Sequence, residues 1–139
     1  MEIIAVPTNG KGGLNEDLSP RFGRCSSFTF VTIENSEIKL VKTVPNHAGE
    51  AMGGAGVQAS QIVGINNANV VIVGKLGPNA SQALRALNLK IIEAPNESLS
   101  IKKVIDLYLG GQLKELSGSN VGSHFGANSS QGMGNRNGR

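Results

Sequence analysis

The fold of this chain is decided by the stretch Val70-Val71-Ile72-Val73-Gly74-Lys75-Leu76-Gly77-Pro78-Asn79. Its first four residues form a continuous apolar run, which is typical of a short strand covered on both faces. A helix is predicted to begin at Gly77-Pro78, because proline is tolerated in the first turn, where its missing N–H does no harm. A buried strand that leads directly into a helix predicts a unit of a parallel sheet.

The same kinds of pattern predict the elements on either side of this stretch. Continuous or alternating runs of β-forming residues predict strands, and apolar residues at helical spacing predict helices. The helix that begins at Pro78 is expected to end at about Leu87. The other predicted elements are strands over 3–6, 27–33, 38–44 and 89–93, and helices over 55–65 and 99–108.

The order β-β-β-α-β-α-β-α predicts a ribonuclease-H-like α/β fold. Parallel strands need right-handed crossovers, whereas the opening hairpins are antiparallel. Both conditions are met by a five-stranded mixed sheet of order 3-2-1-4-5, with the second strand antiparallel and three helices. The connections after strands one and four then leave in opposite directions, and ligands tend to bind at such a switch point. We expect loop 8–26, the stretch 46–56 and the turn 74–78 to meet there.

Charge and aromatic content exclude a nucleic-acid binder. The net charge is +3, and the surplus lies largely in the tail, with Arg136 and Arg139. Nucleic-acid binders combine a basic stripe with stacking aromatic residues. Only 4% of this chain is aromatic, so we expect no nucleic-acid partner.

The sequence also predicts a cytoplasmic protein with no membrane partner. No apolar run approaches the roughly 20 residues that span a bilayer. The amino terminus, Met1–Pro7, has no basic region before its short apolar run, so it is interpreted as a strand and not as a signal peptide. The single cysteine excludes an internal disulfide framework and is compatible with a reducing compartment.

Composition divides the chain into a domain over 1–109 and a Gly/Ser/Asn-rich tail over 110–139. After Leu116 the sizeable apolar residues are Val121, Phe125 and Met133. Such a segment buries too little surface to offset the entropy of ordering it. We expect the tail to be disordered from about residue 117.

The stretch 46–61 predicts a ligand site. Gly53, Gly54 and Gly56 allow backbone to approach a bulky ligand closely, and the N–H groups of the helix that follows favour an anion. His47 precedes them, and imidazole is the commonest side-chain metal ligand. The alternative is that the glycines only turn the loop into the helix and that His47 is a surface residue.

No enzymatic signature is found. A nuclease on this fold needs a carboxylate cluster for two metals, and the first strand has only Glu2, at its start. A Gly-x-Ser-x-Gly elbow, a P-loop and a Cys-x-x-Cys zinc spacing are all absent from the sequence. We therefore expect a protein that is not an enzyme.

Several motifs stand in the order and spacing of a known family: Ile4-Ala5-Val6-Pro7, Ser19-Pro20-Arg21-Phe22-Gly23-Arg24-Cys25 with Phe28, Asn46-His47, Gly53-Gly54-Ala55-Gly56, and Val71-Ile72-Val73-Gly74-Lys75-Leu76-Gly77-Pro78-Asn79-Ala80 with Leu84. Over roughly residues 3–109 the chain resembles the dinitrogenase iron-molybdenum cofactor biosynthesis family, which includes the nitrogenase accessory factors. It lacks the radical-chemistry domain of the large members and is similar to small stand-alone members. The resemblance implies the ribonuclease-H-like fold and the binding or carriage of an iron–sulfur cofactor or its precursor cluster.

Under this resemblance, Cys25 and His47 are the candidate metal ligands. Iron–sulfur clusters are held by thiolates, and Cys25 is the only thiol in the chain. Arg21 and Arg24 would lower its pKa and hold an anionic cluster. The alternative is that Cys25 is a small buried hydrophobic residue and that the two arginines form structural salt bridges.

The predicted function is a carrier for storage, delivery or sensing of an iron–sulfur or iron–molybdenum-type cluster or another anionic cofactor. Its cofactor-binding residues would be Arg21, Arg24, Gly53, Gly54 and Gly56. We expect a monomer that exchanges its ligand with a cluster donor or acceptor protein. The alternative is a metal-free protein-interaction or regulatory domain.

Overall fold

The computed structural model describes residues 1–50 and 53–120. Its strands are β1 (Glu2–Thr8), β2 (Ser27–Glu34), β3 (Glu37–Pro45), β4 (Val70–Val73), β5 (Lys90–Glu93) and β6 (Lys114–Glu115). Its helices are α1 (Ala55–Ile65), α2 (Pro78–Ala86) and α3 (Ile101–Leu109), with a short 3-10 helix at His47–Glu50. None of the helices in this part of the chain combines the length and apolarity needed to cross a membrane.

The strand order confirms the predicted ribonuclease-H-like fold and adds one strand to it. Within the described residues the sheet has six strands in the order β3-β2-β1-β4-β5-β6. As predicted, β1 pairs antiparallel with β2 and parallel with β4. The sequence analysis missed β6, which adds only two exposed residues antiparallel to the edge of β5. So short and polar a segment has no detectable alternation.

Helices cover both faces of the sheet, because the side chains of each central strand alternate between two cores. Val71 and Val73 of β4 pack with α1 and α2, whereas Val70 and Ile72 pack with α3. All four are at most 1% exposed. Burial of each such side chain contributes about 1.5–3 kcal/mol, which is why the run reads as uniformly apolar.

The first and fourth strands lie side by side at the centre of the sheet. Ile4 pairs with Val70 and Ala5 with Val71. Beyond their carboxyl ends an isolated parallel bridge joins Arg21, in the loop that follows β1, to Lys75, in the turn that follows β4. Loop 8–26 and the turn after β4 therefore meet at the switch point, as the topology predicted.

The segment that follows α3 runs back along the sheet. Leu116 donates its N–H to the Ile91 carbonyl at 2.8 Å, and Asn120 donates its N–H to the Leu76 carbonyl at 3.0 Å. Most of the segment predicted to be disordered, residues 121–139, lies outside the described residues.

Helix α3 begins at Ile101 and packs against the face of the sheet that carries Val70 and Ile72. The Ser100 hydroxyl caps it by accepting the Lys103 N–H at 3.2 Å. Near the end of α3, the hydroxyl group of Tyr108 donates a hydrogen bond to Glu2 Oε1 at 3.0 Å. Burial raises the pKa of Tyr108 from 10.0 to about 12, with further upward contributions from the hydrogen bond and the negative charge of Glu2.

We predict that Glu2→Gln lowers the pKa of Tyr108 toward 10.0 but leaves it above that value, because burial, the larger cause, remains. Tyr108 is the only tyrosine and tryptophan is absent, so the ultraviolet absorbance of the phenolate measures it directly. An unfolded chain ionises Tyr108 at lower pH than the folded chain does. This contribution to stability is therefore present below pH 10.0 and is lost as the pH rises through about 12. An unchanged pKa in Glu2→Gln, or an equal change in the control Glu37→Gln on β3, would contradict the contact.

Candidate functional site

A cationic pocket lies at the carboxyl ends of β1 and β4. Its volume is about 450 Å³, and three exposed cationic side chains line it: Arg21, Arg24 and Lys75. The remaining described lining residues are Phe22, Gly23, Ala55, Gly56, Gly77, Pro78, Asn79 and Ala80, and none of them carries a carboxylate. The pocket therefore favours an anion.

Two helices also begin at this pocket. Helix α1 follows Gly54 and helix α2 follows Gly77, and neither N-cap residue makes a side-chain capping bond, unlike Ser100 before α3. The first intrahelical bonds are Gln58 N–H to the Gly54 carbonyl and Ser81 N–H to the Gly77 carbonyl, each 3.0 Å long. The amides of the first turns and the positive ends of the helix dipoles add to the attraction for an anion.

Backbone hydrogen bonds fix two of the cations beside each other. Lys75 donates its N–H to the Pro20 carbonyl at 2.8 Å, and its carbonyl accepts the Phe22 N–H at 3.4 Å. Gly74 permits this close approach, since an added Cβ would lie 3.0 Å from the Pro20 carbonyl oxygen. Arg21 and Lys75 are thus held at matching positions on adjacent segments.

Close glycine packing brings the two helix ends together. A Cβ added at Gly56 would lie 2.9 Å from the Ala80 Cβ, and one added at Gly23 would lie 2.9 Å from the Gly56 backbone nitrogen. The close approach seen at Gly56 is the contact between α1 and α2, and the predicted approach of its backbone to a ligand stays a prediction. Gly56 both lines the pocket and lets α2 approach.

The structure buries Cys25, which the sequence analysis predicts as a metal ligand, and this burial disfavours that role. Its side chain is 3% exposed and belongs to the core beneath α1 and α2. The thiol donates to the Phe22 carbonyl at 3.3 Å, and Asn46 Nδ2 lies 3.5 Å from Sγ. Burial raises the pKa of the Cys25 thiol from 9.0 to about 12, although these surroundings include hydrogen bonds, chiefly from Asn46, that lower it. The alternative of a small buried hydrophobic residue describes Cys25.

The remaining predicted site residues do not line the pocket. His47 is exposed at the start of the 3-10 helix, and its role as a metal ligand stays a prediction. Gly53 and Gly54 are exposed, and an added Cβ at either would lie within 4 Å of none of the described neighbours. Gly54 has a φ of 72°, so it sets the turn into α1. In residues 1–50 and 53–120, no three His, Cys, Asp or Glu side chains are grouped so as to hold a metal ion.

Lys75 and Asn46 stand in motifs of the sequence analysis but were not predicted there as site residues. Lys75 lies in the turn after β4, the strand at the switch point. That position in the sequence could have indicated a pocket residue. Asn46 is 7% exposed and joins two loops, donating through Nδ2 to the carbonyls of Cys25 at 2.9 Å and Gly23 at 3.2 Å. No periodicity marks such a buried amide in the sequence.

Comparisons with known proteins agree with this architecture. The sequence profile of the family described as dinitrogenase iron-molybdenum cofactor matches residues 1–111. An uncharacterised protein of Methanocaldococcus jannaschii is 36% identical over 112 residues, which are 81% of this chain and 89% of that protein. The apo form of the orange protein from Desulfovibrio gigas is 32% identical with a TM-score of 0.78, over 86% of this chain and 97% of that one. A NifB-like protein from Thermotoga, solved by NMR, is 27% identical with a TM-score of 0.71, over 84% and 95% of the two chains.

The fold and the pocket define a small ribonuclease-H-like protein with a cationic pocket at its switch point. The chain belongs to the dinitrogenase iron-molybdenum cofactor family. The family is named for the iron-molybdenum cofactor of dinitrogenase, so membership relates this small protein to that kind of cofactor.

We predict that the native Cys25 thiol is nearly inert to alkylation at mildly alkaline pH. A pKa of about 12 in place of 9.0 reduces the thiolate fraction by about a thousandfold, and the side chain is also shielded. The measurement is the rate of iodoacetamide modification with and without denaturant, with Cys25→Ser/Ser26→Cys as the exposed control. Native modification at the rate of that control would contradict the buried placement.

We also predict that Gly23→Ala destabilises the protein by about 1–3 kcal/mol, because the added methyl group would push the Arg21–Arg24 loop away from the first turn of α1. Gly53→Ala is the matched control, since its Cβ would meet open space. Urea unfolding compares the two variants with the wild type. Equal stabilities would show that the loop does not need this close approach.

Proposed function

We propose that this protein is a non-enzymatic carrier that binds an anionic metal–sulfur cluster in the cationic pocket. The observation that carries the proposal is the convergence of Arg21, Arg24 and Lys75 with the amino ends of α1 and α2. Family membership supports the class of cargo proposed, an iron–sulfur or iron–molybdenum-type cluster.

The residues of the pocket fit a cluster that brings its own complete set of ligands. A cluster that needs protein thiolates would not fit, because the only cysteine is buried with a raised pKa. Guanidinium, ammonium and amide N–H groups instead donate hydrogen bonds to anionic sulfur or oxygen atoms. A volume of about 450 Å³ leaves room for a compact polynuclear anion.

Binding by charge and hydrogen bonds suits carriage. No covalent bond to a protein ligand has to be broken when the cargo leaves, so release to an acceptor protein can be fast. The pocket is open to solvent on the side of its cationic side chains, which are all exposed. The attraction is screened by salt, because exposed charges interact weakly beyond the Debye length.

The test uses tetrathiomolybdate, a simple molybdenum–sulfur anion, titrated anaerobically into the full-length protein and followed by its absorption spectrum. We predict saturable binding that weakens as salt is added. Arg21→Ala and Lys75→Ala should each reduce affinity about fivefold, which corresponds to about 1 kcal/mol for an exposed charge–anion contact.

Two variants serve as controls for this titration. Lys42→Ala removes an exposed cation of β3, and Cys25→Ser removes the thiol, and both should bind as the wild type does. Absence of binding by the wild type, or equal losses in Lys42→Ala and Lys75→Ala, would overturn the proposal and favour the metal-free interaction domain. Loss of binding in Cys25→Ser with an unchanged melting temperature would restore the thiolate as a ligand.

A further inference from the structure

Asn120 binds the turn that carries Lys75. Its backbone N–H donates to the Leu76 carbonyl at 3.0 Å, and its Oδ1 accepts the Leu76 N–H at 2.7 Å. Its Nδ2 donates to the Gly74 carbonyl at 2.7 Å and to Glu93 Oε2 at 2.9 Å. These contacts bring together positions 44 and 46 residues apart in the sequence.

Along the backbone of residues 74–76, the groups that bond to Asn120 alternate with the groups that bond to loop 8–26 on the other side. The N–H and carbonyl of Lys75 bond to Pro20 and Phe22. The polar groups that flank Lys75, the Gly74 carbonyl and the Leu76 N–H, bond to Asn120. The backbone of residues 74–76 is therefore hydrogen-bonded on both sides, as the backbone of a central strand is. Asn120 takes the place of one of the two neighbouring strands.

We infer that Asn120 is a positioning residue for anion binding in the cationic pocket. It acts through Lys75 by fixing the backbone on both sides of that residue. The inference rests on the proposed function of the pocket and assigns to the carboxyl-terminal segment a part in it.

The physical reason is the cost of ordering an exposed turn. Lys75 lies after the last residue of β4, and its side chain is exposed. Without Asn120 the turn would lose hydrogen bonds on one side and sample more conformations. The free energy of anion binding would then include the cost of ordering the turn. Affinity would fall although no charge had been removed.

The contacts of Asn120 come from a segment that lies outside the part of the chain matched by the family profile. The family profile ends at residue 111, and Asn120 lies after β6. Glu93 at the end of β5 accepts the fourth hydrogen bond of Asn120, so the segment also fixes a carboxylate at the Asn120 side of the turn. Asn120 and Lys75 both line a second cavity of about 550 Å³ on that side.

The experiment combines Asn120→Ala with a double-mutant cycle in the full-length protein. We expect Asn120→Ala to weaken tetrathiomolybdate binding about threefold to tenfold, the range of one or two lost hydrogen bonds. In a Lys75→Ala background the same change should have almost no effect, because its influence passes through Lys75. A general structural role would weaken binding equally in both backgrounds, and that result would overturn the inference.

A second readout does not depend on any ligand. The amide hydrogen of Leu76 should exchange faster with solvent in Asn120→Ala, since its acceptor is lost. Ser119→Ala, an exposed change one residue away, should alter neither exchange nor binding. Unchanged Leu76 exchange in Asn120→Ala, or unchanged affinity, would overturn the inference while the proposed function stands. If the wild type fails to bind tetrathiomolybdate, the proposed function falls and the inference with it.

Discussion

The parallel pairing of β1 with β4 is the constraint on which the rest of this structure depends. It joins the amino-terminal hairpins to the carboxyl-terminal βαβ half and is buried beneath helices on both faces. Because the connections from the two strands diverge, the loops after them are left side by side. A separate parallel bridge, between Arg21 in the loop after β1 and Lys75 after β4, places two cations at the same edge.

The chemistry of the pocket follows from that placement. Both helices that cover one face of the sheet begin at this edge, and small residues let the first turn of α1 meet both the Arg21–Arg24 loop and the first turn of α2. Positive charge and amide N–H groups are thereby concentrated where no described lining residue carries a carboxylate. The thiol of Cys25 lies in the same loop but points into the core, so attraction for an anion does not require thiolate ligation.

The fold could be predicted because its signals are local. The uniformly apolar β4, the alternating hairpin and the proline at the start of α2 each have one natural interpretation, and α1 was predicted to the residue. The site was harder, because exposure is a property of the tertiary structure. Cys25 stands between polar and charged residues in the sequence, yet Asn46 and the Phe22 carbonyl enclose it. Asn120 follows a Gly/Ser-rich stretch whose composition gives no sign of its contacts with Gly74 and Leu76.

The proposed carrier holds an anionic cluster between the amino ends of α1 and α2 by cationic side chains, without the cysteine. The most direct measurement is anomalous scattering at the molybdenum absorption edge from crystals of the full-length protein grown with tetrathiomolybdate. We expect a single anomalous peak within hydrogen-bonding reach of Arg21, Lys75 and the first-turn amides of α2. A peak bonded to Cys25 Sγ, or located at His47 away from the pocket, would contradict it.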